Sequence, residues 1–562
     1  MMGYKIRSGF MLFFLFALLF AIIYVIGWWF NWGLWFMLIL TIGIIGFQYL
    51  ISPYIIGWIY RIDWIPFDQY KSQYPHLAEV VEAHMRKFHI RTPRMGLIND
   101  GNPNAFTFGH HKNNSRVVIT SGILKHLNKK EQASVVAHEM GHVVHSDFIV
   151  MTLASAIPVL LYVVARWCFF AGRSTTRGRS EKGGYFGLAL LVIGVLSYFA
   201  YYFGYLITLL ISRFREYYAD ENSAEMMENP NYLSTALVKI AYGLLEAQDK
   251  TSEMYKSKVH TLRSLGIYNK KDAKKLALAS VGSSGGFSQE NIEAAAAWDL
   301  HNPWAKYYQV FSTHPLPAKR ILALNKRCAE FNVIPEIDLS KTKERAEEQA
   351  GKSLWDQFLA DLFWLWLPSL VFISCVGFTI LWIINLIFNY STFLLGINIL
   401  FFWAIGFYLM GLAVIVRTLY KYRGSFQPYT IAELVTNVKV SPIRPVATVL
   451  QGKIIGRGIP GLWYSEDLVV QDETGLITVD YRFGLRIVDF FWAIMRVDEL
   501  IGQNVQVYGW YRRAPTPYVQ VNYILTESGR KFKNYSKHVT YLSSIIYFGI
   551  GLLLFWLAFN IF

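Results

Sequence analysis

The chain has 562 residues, 54% hydrophobic and 17% aromatic, with a mean hydropathy of +0.28. That apolar share exceeds what ordinary soluble domains carry and predicts membrane segments. The net charge of +15 then reads as anchoring charge beside those segments rather than as a nucleic-acid footprint. Three cysteines, Cys168, Cys328 and Cys375, with no C-x-x-C pair, exclude a disulfide framework and a cysteine metal site.

In chain order, Lys5 and Arg7 precede an apolar run over residues 10–30, and a second run covers 34–51. Each is long enough to cross a hydrocarbon core of about 30 Å. The first is too long for a cleaved signal peptide, so residues 1–53 are expected to form a transmembrane hairpin ended by Pro53. Arg61 follows on the side of Lys5 and Arg7, which by the positive-inside rule places the N-terminus and the following polar part in the cytoplasm. Residues 54–147 read as a polar module. Its β-prone runs at 95–98, 105–109 and 116–120 predict a small sheet with an exposed edge.

Residues 128–147 read as a helix, with Asn128 as N-cap and Glu131 completing a capping box. The helix carries His138-Glu139-Met140-Gly141-His142, an H-E-x-x-H motif. A spacing of four stacks the two imidazoles on one face, where they can hold one zinc ion, and Glu139 can work on a water beside them. The alternative is a chance match on a core helix. His145 shares the face, but the next turn carries its ring past the metal, and Phe148 stands where a metzincin needs its third histidine.

Residues 148–211 hold two more apolar segments joined by a basic loop, RSTTRGRSEKGG. If both span, that loop lies outside, against the positive-inside rule, so a re-entrant pair competes with true spanning. Two crossings would return the chain to its starting side at 212–220, SRFREYYAD. Glu216 is there the strongest candidate for a third metal ligand, against the plainer reading of a solvated, charged helix end. Residues 212–354 are polar and helix-rich, with a flexible insert at 282–286. Residues 355–417 form a second transmembrane hairpin, whose Asp356 and Asp361 sit at its start and are expected at the interface. Residues 425–530 show five β-prone runs and a helical stretch between the third and fourth, which suggests an OB-like barrel. A last span covers 541–562. The fold class is therefore a multi-span α-helical membrane protein with a mainly α zinc-protease domain and a C-terminal β-barrel.

The ordered motifs Asn104-Ala105-Phe106, His138 to His142, Ser212 to Asp220, and Thr313-His314-Pro315 with Arg320 make the chain resemble the HtpX-type integral membrane zinc metallopeptidases, a family that also contains the CAAX prenyl endopeptidases. The resemblance covers roughly residues 1–330. It implies that Glu216 is the third zinc ligand and that Asp220 supports a zinc-bound histidine. It also implies that Asn104 and Phe106 belong to an edge strand holding the substrate, with His314 and Arg320 serving the substrate and the developing oxyanion. The function expected is a membrane endopeptidase with one zinc ion that cuts cytoplasmic-side segments of membrane or misfolded proteins, with Glu139 assisting the attack of water. Proteins or peptides and the lipid bilayer are the expected partners. Nucleic acid is disfavoured, and the partner of the OB-like domain is left open. The competing reading is a catalytically silent membrane scaffold that presents that domain. HtpX-type chains usually stop near residue 330 of this one, whereas here two spans, the OB-like domain and a last span are added. Only two spans ahead of the motif set the span order apart from that of the CAAX endopeptidase, which makes prenyl-peptide processing less expected.

Overall fold

The computed structural model describes residues 2–29, 34–176, 181–244, 287–342, 344, 346–347, 354–388, 398–462, 464–514 and 516–561. The insert at 282–286 and the middle of the basic loop, 177–180, lie outside them. Two compact units emerge: Met1–Ile240 with Lys306–Asp338 and Pro460–Trp463, and Ala241–Ala305 with Leu339–Ile459 and Tyr464–Phe562.

The first unit opens with two apolar helices, α1 (Met2–Trp29) and α2 (Leu34–Ile59). Pro53 does not end α2 but lies inside it. The apolar sequence continues for six residues past the proline, and a buried or lipid-facing helix tolerates one missing N–H when its continuation stays apolar. A four-stranded sheet follows: β1 (Asp63–Ile65), β2 (Arg94–Ile98), β3 (Ala105–His111) and β4 (Asn114–Thr120), in the order β1-β2-β4-β3. Among the described residues β3 pairs only with β4, so its other side is a sheet edge, as expected. One face of the sheet packs through Met95, Val117 and Ile119 onto Val136, Met140 and Val143 of α3 (Lys129–His145).

The capping box of α3 forms as the sequence predicts. Asn128 Oδ1 accepts from the Lys130 and Glu131 amides, and Glu131 Oε2 accepts from the Asn128 amide at 2.9 Å. Ser146, in the left-handed region at φ 56°, ends the helix and turns the chain directly into α4 (Asp147–Thr176). The next helix, α5 (Glu181–Met227), runs for 47 residues, about 70 Å at 1.5 Å per residue. A membrane uses only about 20 of those residues. The remaining turns carry Glu216 and Asp220 on to α3. Leu15, Leu19 and Ile23 of α1 pack with Ile45 of α2, Ala154, Ile157 and Leu161 of α4 and Ala200 and Ile211 of α5, so four helices share one apolar core.

The second unit contains α6 (Leu354–Phe388) and α7 (Ile399–Lys421), then a barrel, then α9 (Ser536–Ile561); α8 (Arg486–Met495) lies within the barrel sequence. Strands β5 (Val446–Arg457), β6 (Leu468–Gln471), β7 (Leu476–Asp480), β8 (Asn504–Arg513) and β9 (Pro517–Thr526) close in the ring β5-β6-β7-β9-β8-β5, with β7 and β9 parallel. Closure leaves the ring no free edge, and the inward alternation supplies its core. Asp361 is not at a wetted interface. It is fully buried and accepts from Arg444 Nη2 at 2.9 Å, Tyr420 Oη at 2.9 Å and Trp304 Nε1 at 3.3 Å, partners that lie far away in sequence. Six helices among the described residues are long and apolar enough to cross a membrane, and Met11–Tyr24 forms a shorter apolar helix.

Candidate metal centre

Helices α3 and α5 cross closely because two small residues meet. A Cβ on Gly141 would stand 3.1 Å from Ala219 Cα and 3.1 Å from Asn222 Cβ. Asn222 fixes the crossing through Nδ2, which donates to Ala137 O and to His84 Nε2, both at 2.9 Å. Burial lowers the His84 pKa to about 4, so the ring is neutral, with Nδ1 donating to Val80 O at 2.8 Å and Nε2 free to accept. Ser223 Oγ adds a bond to Ser134 O at 2.8 Å.

That crossing gathers His138, His142 and Glu216, one ligand atom from each lying within 4.8 Å of the others, all three buried. His138 Nε2 stands 3.7 Å from Glu216 Oε2, and His142 Nε2 stands 3.7 Å from Oε1. Each imidazole turns its other nitrogen to a carboxylate: His142 Nδ1 meets Asp147 Oδ2 at 2.6 Å, and His138 Nδ1 lies 3.0 Å from Asp220 Oδ1. Burial alone would lower the His138 pKa, but Asp220 and Glu216 outweigh it and hold it above the ordinary imidazole value. Glu216 Oε1 is buried without a hydrogen-bond partner, an expensive state for a carboxylate oxygen that a cation between the rings would relieve. The donor set, two imidazoles and one carboxylate backed by carboxylates on the far nitrogens, fits a divalent metal with an open position.

The remaining expected residues separate into those the fold brings together and those it does not. His314, with a 62% exposed side chain, places Nδ1 2.9 Å from Glu216 Oε2. Arg320 is buried. Its Nε donates to Asp220 Oδ2 at 2.9 Å, Nη2 reaches Asp220 Oδ1, and Nη1 lies 3.3 Å from Glu216 Oε2. The guanidinium is thus committed to two carboxylates of the site. Asn104 does not lie on β3 but immediately precedes it; its Oδ1 accepts from the Ala105 amide and its own amide donates to Thr120 Oγ1. Phe106 turns its ring away from Glu139, into a cluster with Tyr60, Trp64 and Phe108, because alternate residues of a strand face opposite sides.

Three residues were missed by sequence reasoning. Thr107, on the helix-facing side of β3, donates through Oγ1 to Glu139 Oε2 at 2.7 Å. Asp147, an acid five residues after the second histidine, meets His142 Nδ1 through Oδ2 at 2.6 Å, a role that the sequence reading of residues 128–147 as one helix does not give it. Arg213 donates to Gln309 O at 2.8 Å and Ser312 O at 2.9 Å, which pins the segment that carries His314.

The model of peptidase family M48 matches residues 71–328, a range that holds every residue named above in this unit's site. A Protease HtpX homolog of Methanothermobacter thermautotrophicus is 37% identical over 240 residues, which cover 42% of this chain and 86% of that protein. The chain belongs to peptidase family M48. Further M48 relatives of the same description come from Picrophilus torridus, 31% identical over 52% of this chain and 85% of its own length, and Thermococcus sibiricus, 33% identical over 43% and 81%. The crystal structure of S. mikatae Ste24p matches 57% of this chain and 63% of that one, at 14% identity and a TM-score of 0.32, too slight a likeness to carry an argument. Family membership, the candidate spans and the buried His-His-Glu group together make the chain a multi-pass membrane member of a metallopeptidase family.

Proposed function

We propose that the chain is a zinc endopeptidase that cuts cytoplasmic-side segments of membrane or misfolded proteins. The observation that carries this reading is the approach of His138, His142 and Glu216, with one Glu216 oxygen accepting no hydrogen bond and Glu139 on the same helix as the two imidazoles. Two imidazoles from an H-E-x-x-H helix with one carboxylate are a ligand set that zinc takes in hydrolytic sites. When bound, zinc supplies Lewis acidity to the scissile carbonyl and makes water a better nucleophile at neutral pH. Glu139 takes the proton of the attacking water; as the C–N bond breaks, it returns that proton to the leaving amine. Thr107 holds the Glu139 carboxylate in position by its 2.7 Å bond. Asp147 and Asp220 orient the imidazoles, and Arg320 holds Asp220 and Glu216 in register. His314, the exposed member of the group, is assigned the developing oxyanion.

The free edge of β3 is assigned to the substrate, which would add as a strand and be held mainly by its backbone, with Asn104 fixing the start of that edge. Phe106 supports this edge from behind rather than touching the substrate with its ring. In the same reading, residues 54–147 and 212–354 are two parts of one protease region. The barrel over 425–530 is read as OB-like, serving docking of protein partners or support. The cytoplasmic placement rests on Lys5 and Arg7 near the start of α1 and on Arg61 just after α2.

The test compares purified wild type with Glu139→Gln for zinc content and for cleavage of an unfolded protein. Stoichiometric zinc in both with cleavage only by wild type is expected. Full cleavage by the variant would remove the mechanism. A Glu216→Ala protein that kept its zinc would remove the third ligand.

A further inference from the structure

In the second unit, α8 rests on the barrel by one face. Asp489 Oδ1 accepts from the Phe483 amide at 2.6 Å, Ala493 O accepts from Arg457, and Trp492 stacks on Tyr481 with ring centroids 4.0 Å apart. The opposite face carries Ile487, Val488, Phe491, Ile494 and Met495, all exposed, with Ile487 at 74% and Met495 at 63%. Their spacing, i, i+1, i+4, i+7 and i+8, forms one continuous apolar stripe on a helix of only ten residues. A contiguous apolar patch of this kind on a soluble surface would be an aggregation hazard, so it calls for a specific occupant.

The position of the stripe indicates which. Asn534, two residues ahead of α9, donates through Nδ2 to the carbonyls of Tyr481 at 2.7 Å and Arg482 at 3.2 Å, which ties the approach to α8 to the start of the last span. Gly484 stands so close to α9 that a Cβ there would lie 3.5 Å from Val539 Cγ1, and Trp492 meets Phe532 at 5.7 Å. Helix α9 carries Lys537 and His538 in its first turn and no charged residue from Val539 to Ile561. Val539 therefore marks the level where charge stops and hydrocarbon begins. Lys533 and Tyr535, both exposed, flank the same level, as expected of residues at a headgroup layer.

We propose that α8 is a membrane-interface helix, lying along the bilayer surface with Ile487, Val488, Phe491, Ile494 and Met495 sunk among the upper acyl chains. A short helix with one apolar face, lysines beside it and a fixed link to a spanning helix has the build of an interfacial anchor. It holds the barrel against the membrane by a second attachment besides its flanking spans.

The test uses the full chain in phosphatidylcholine–phosphatidylglycerol vesicles, labelled with the fluorophore NBD at Phe491→Cys or, separately, Ile494→Cys. The three native cysteines are buried, and both labelled positions are exposed, so neither label disturbs the barrel core. Glu473→Cys, in the hairpin turn at the far end of β7 from Tyr481, is the reference. Labels at 491 and 494 are expected to lose most of their emission when the acyl chains are brominated and to resist aqueous iodide, with the label at 473 doing the reverse. Iodide quenching at 491 and 494 equal to that at 473 would overturn the proposal. Protection from both quenchers would overturn it too, since the stripe would then be covered by a second copy or another protein.

Discussion

Gly141 of the H-E-x-x-H helix and Ala219 of α5 meet where the two helices cross, and a methyl group on Gly141 would be crowded. An added Cβ would lie 3.1 Å from Ala219 Cα, so the helices would have to give by a few tenths of an ångström. The neighbour is backbone, which cannot swing aside as a side chain can. Glu216 and Asp220 bracket Ala219, so any shift of α5 moves both carboxylates of the site.

Gly141→Ala tests that relationship. On an unobstructed helix the change should stabilise by about 1 kcal/mol. Overpacking at this crossing should cost about 1–3 kcal/mol. The expected result is no gain in thermal midpoint and weaker zinc retention in a chelator titration. A more stable protein with unchanged zinc affinity would show that the crossing is not tight.

Asp147 should act on the candidate metal site through His142, whose Nδ1 its Oδ2 meets at 2.6 Å. Asp147→Ala is expected to weaken zinc binding by about 10–100-fold, the usual effect of losing a partner behind a metal ligand. Asp147→Asn keeps an acceptor and should lose less. Chelator competition on the purified protein measures both, and equal affinities across the three proteins would remove the assigned role.

Thr107→Val removes the hydroxyl that donates to Glu139 Oε2 with almost no change in volume. A hydrogen bond to a charged group is worth about 1.5–3 kcal/mol, so kcat should fall about tenfold or more while zinc content stays stoichiometric. Thr107→Ser should recover most of the loss. A change in zinc content instead of in kcat would place Thr107 in the metal site rather than behind the base.

The barrel should show its own pH dependence. Burial, and next the nearby Asp480 carboxylate, push Asp467 up to about 7, far above the value near 3.9 of an unfolded aspartate. The folded state therefore binds the proton more tightly, and the stability present below about pH 4 is lost as pH rises through about 7. Asp467→Asn cannot ionise, and its side-chain oxygen can still accept from the Tyr481 amide, which Asp467 Oδ1 meets at 3.2 Å. The variant should gain over wild type at pH 8, by up to about 4 kcal/mol for a pKa raised by about 3, and little at pH 4. Thermal melts followed by tryptophan fluorescence at the two pH values check it, and an equal shift at both would rule out the titration.

Local order left clear marks in the sequence. The capping box at Asn128 and Glu131, the period of four between His138 and His142, the β-prone runs at 95–98, 105–109 and 116–120, and the apolar spans each depend on neighbours within a few residues, and the fold keeps them. Pro53 misled because a helix-ending signal calibrated in water is weaker where the sequence stays apolar on both sides. Asp361 misled because its three partners come from distant segments.

The sequence alone carries the apolar runs, the family resemblance and the candidate metal-ligating side chains, since periodicity and motif spacing are properties of short stretches. Only the tertiary structure decided which nitrogen each histidine turns to which carboxylate, that Thr107 and not Phe106 faces Glu139, and that Arg320 is committed to Asp220 and Glu216. Those contacts join residues 32 to 104 positions apart across a strand, a long helix and a loop, except for Asp147, whose direction follows from the sharp turn at Ser146. No local pattern encodes such distances. They arise when α5 runs past the membrane and closes on α3 at a glycine.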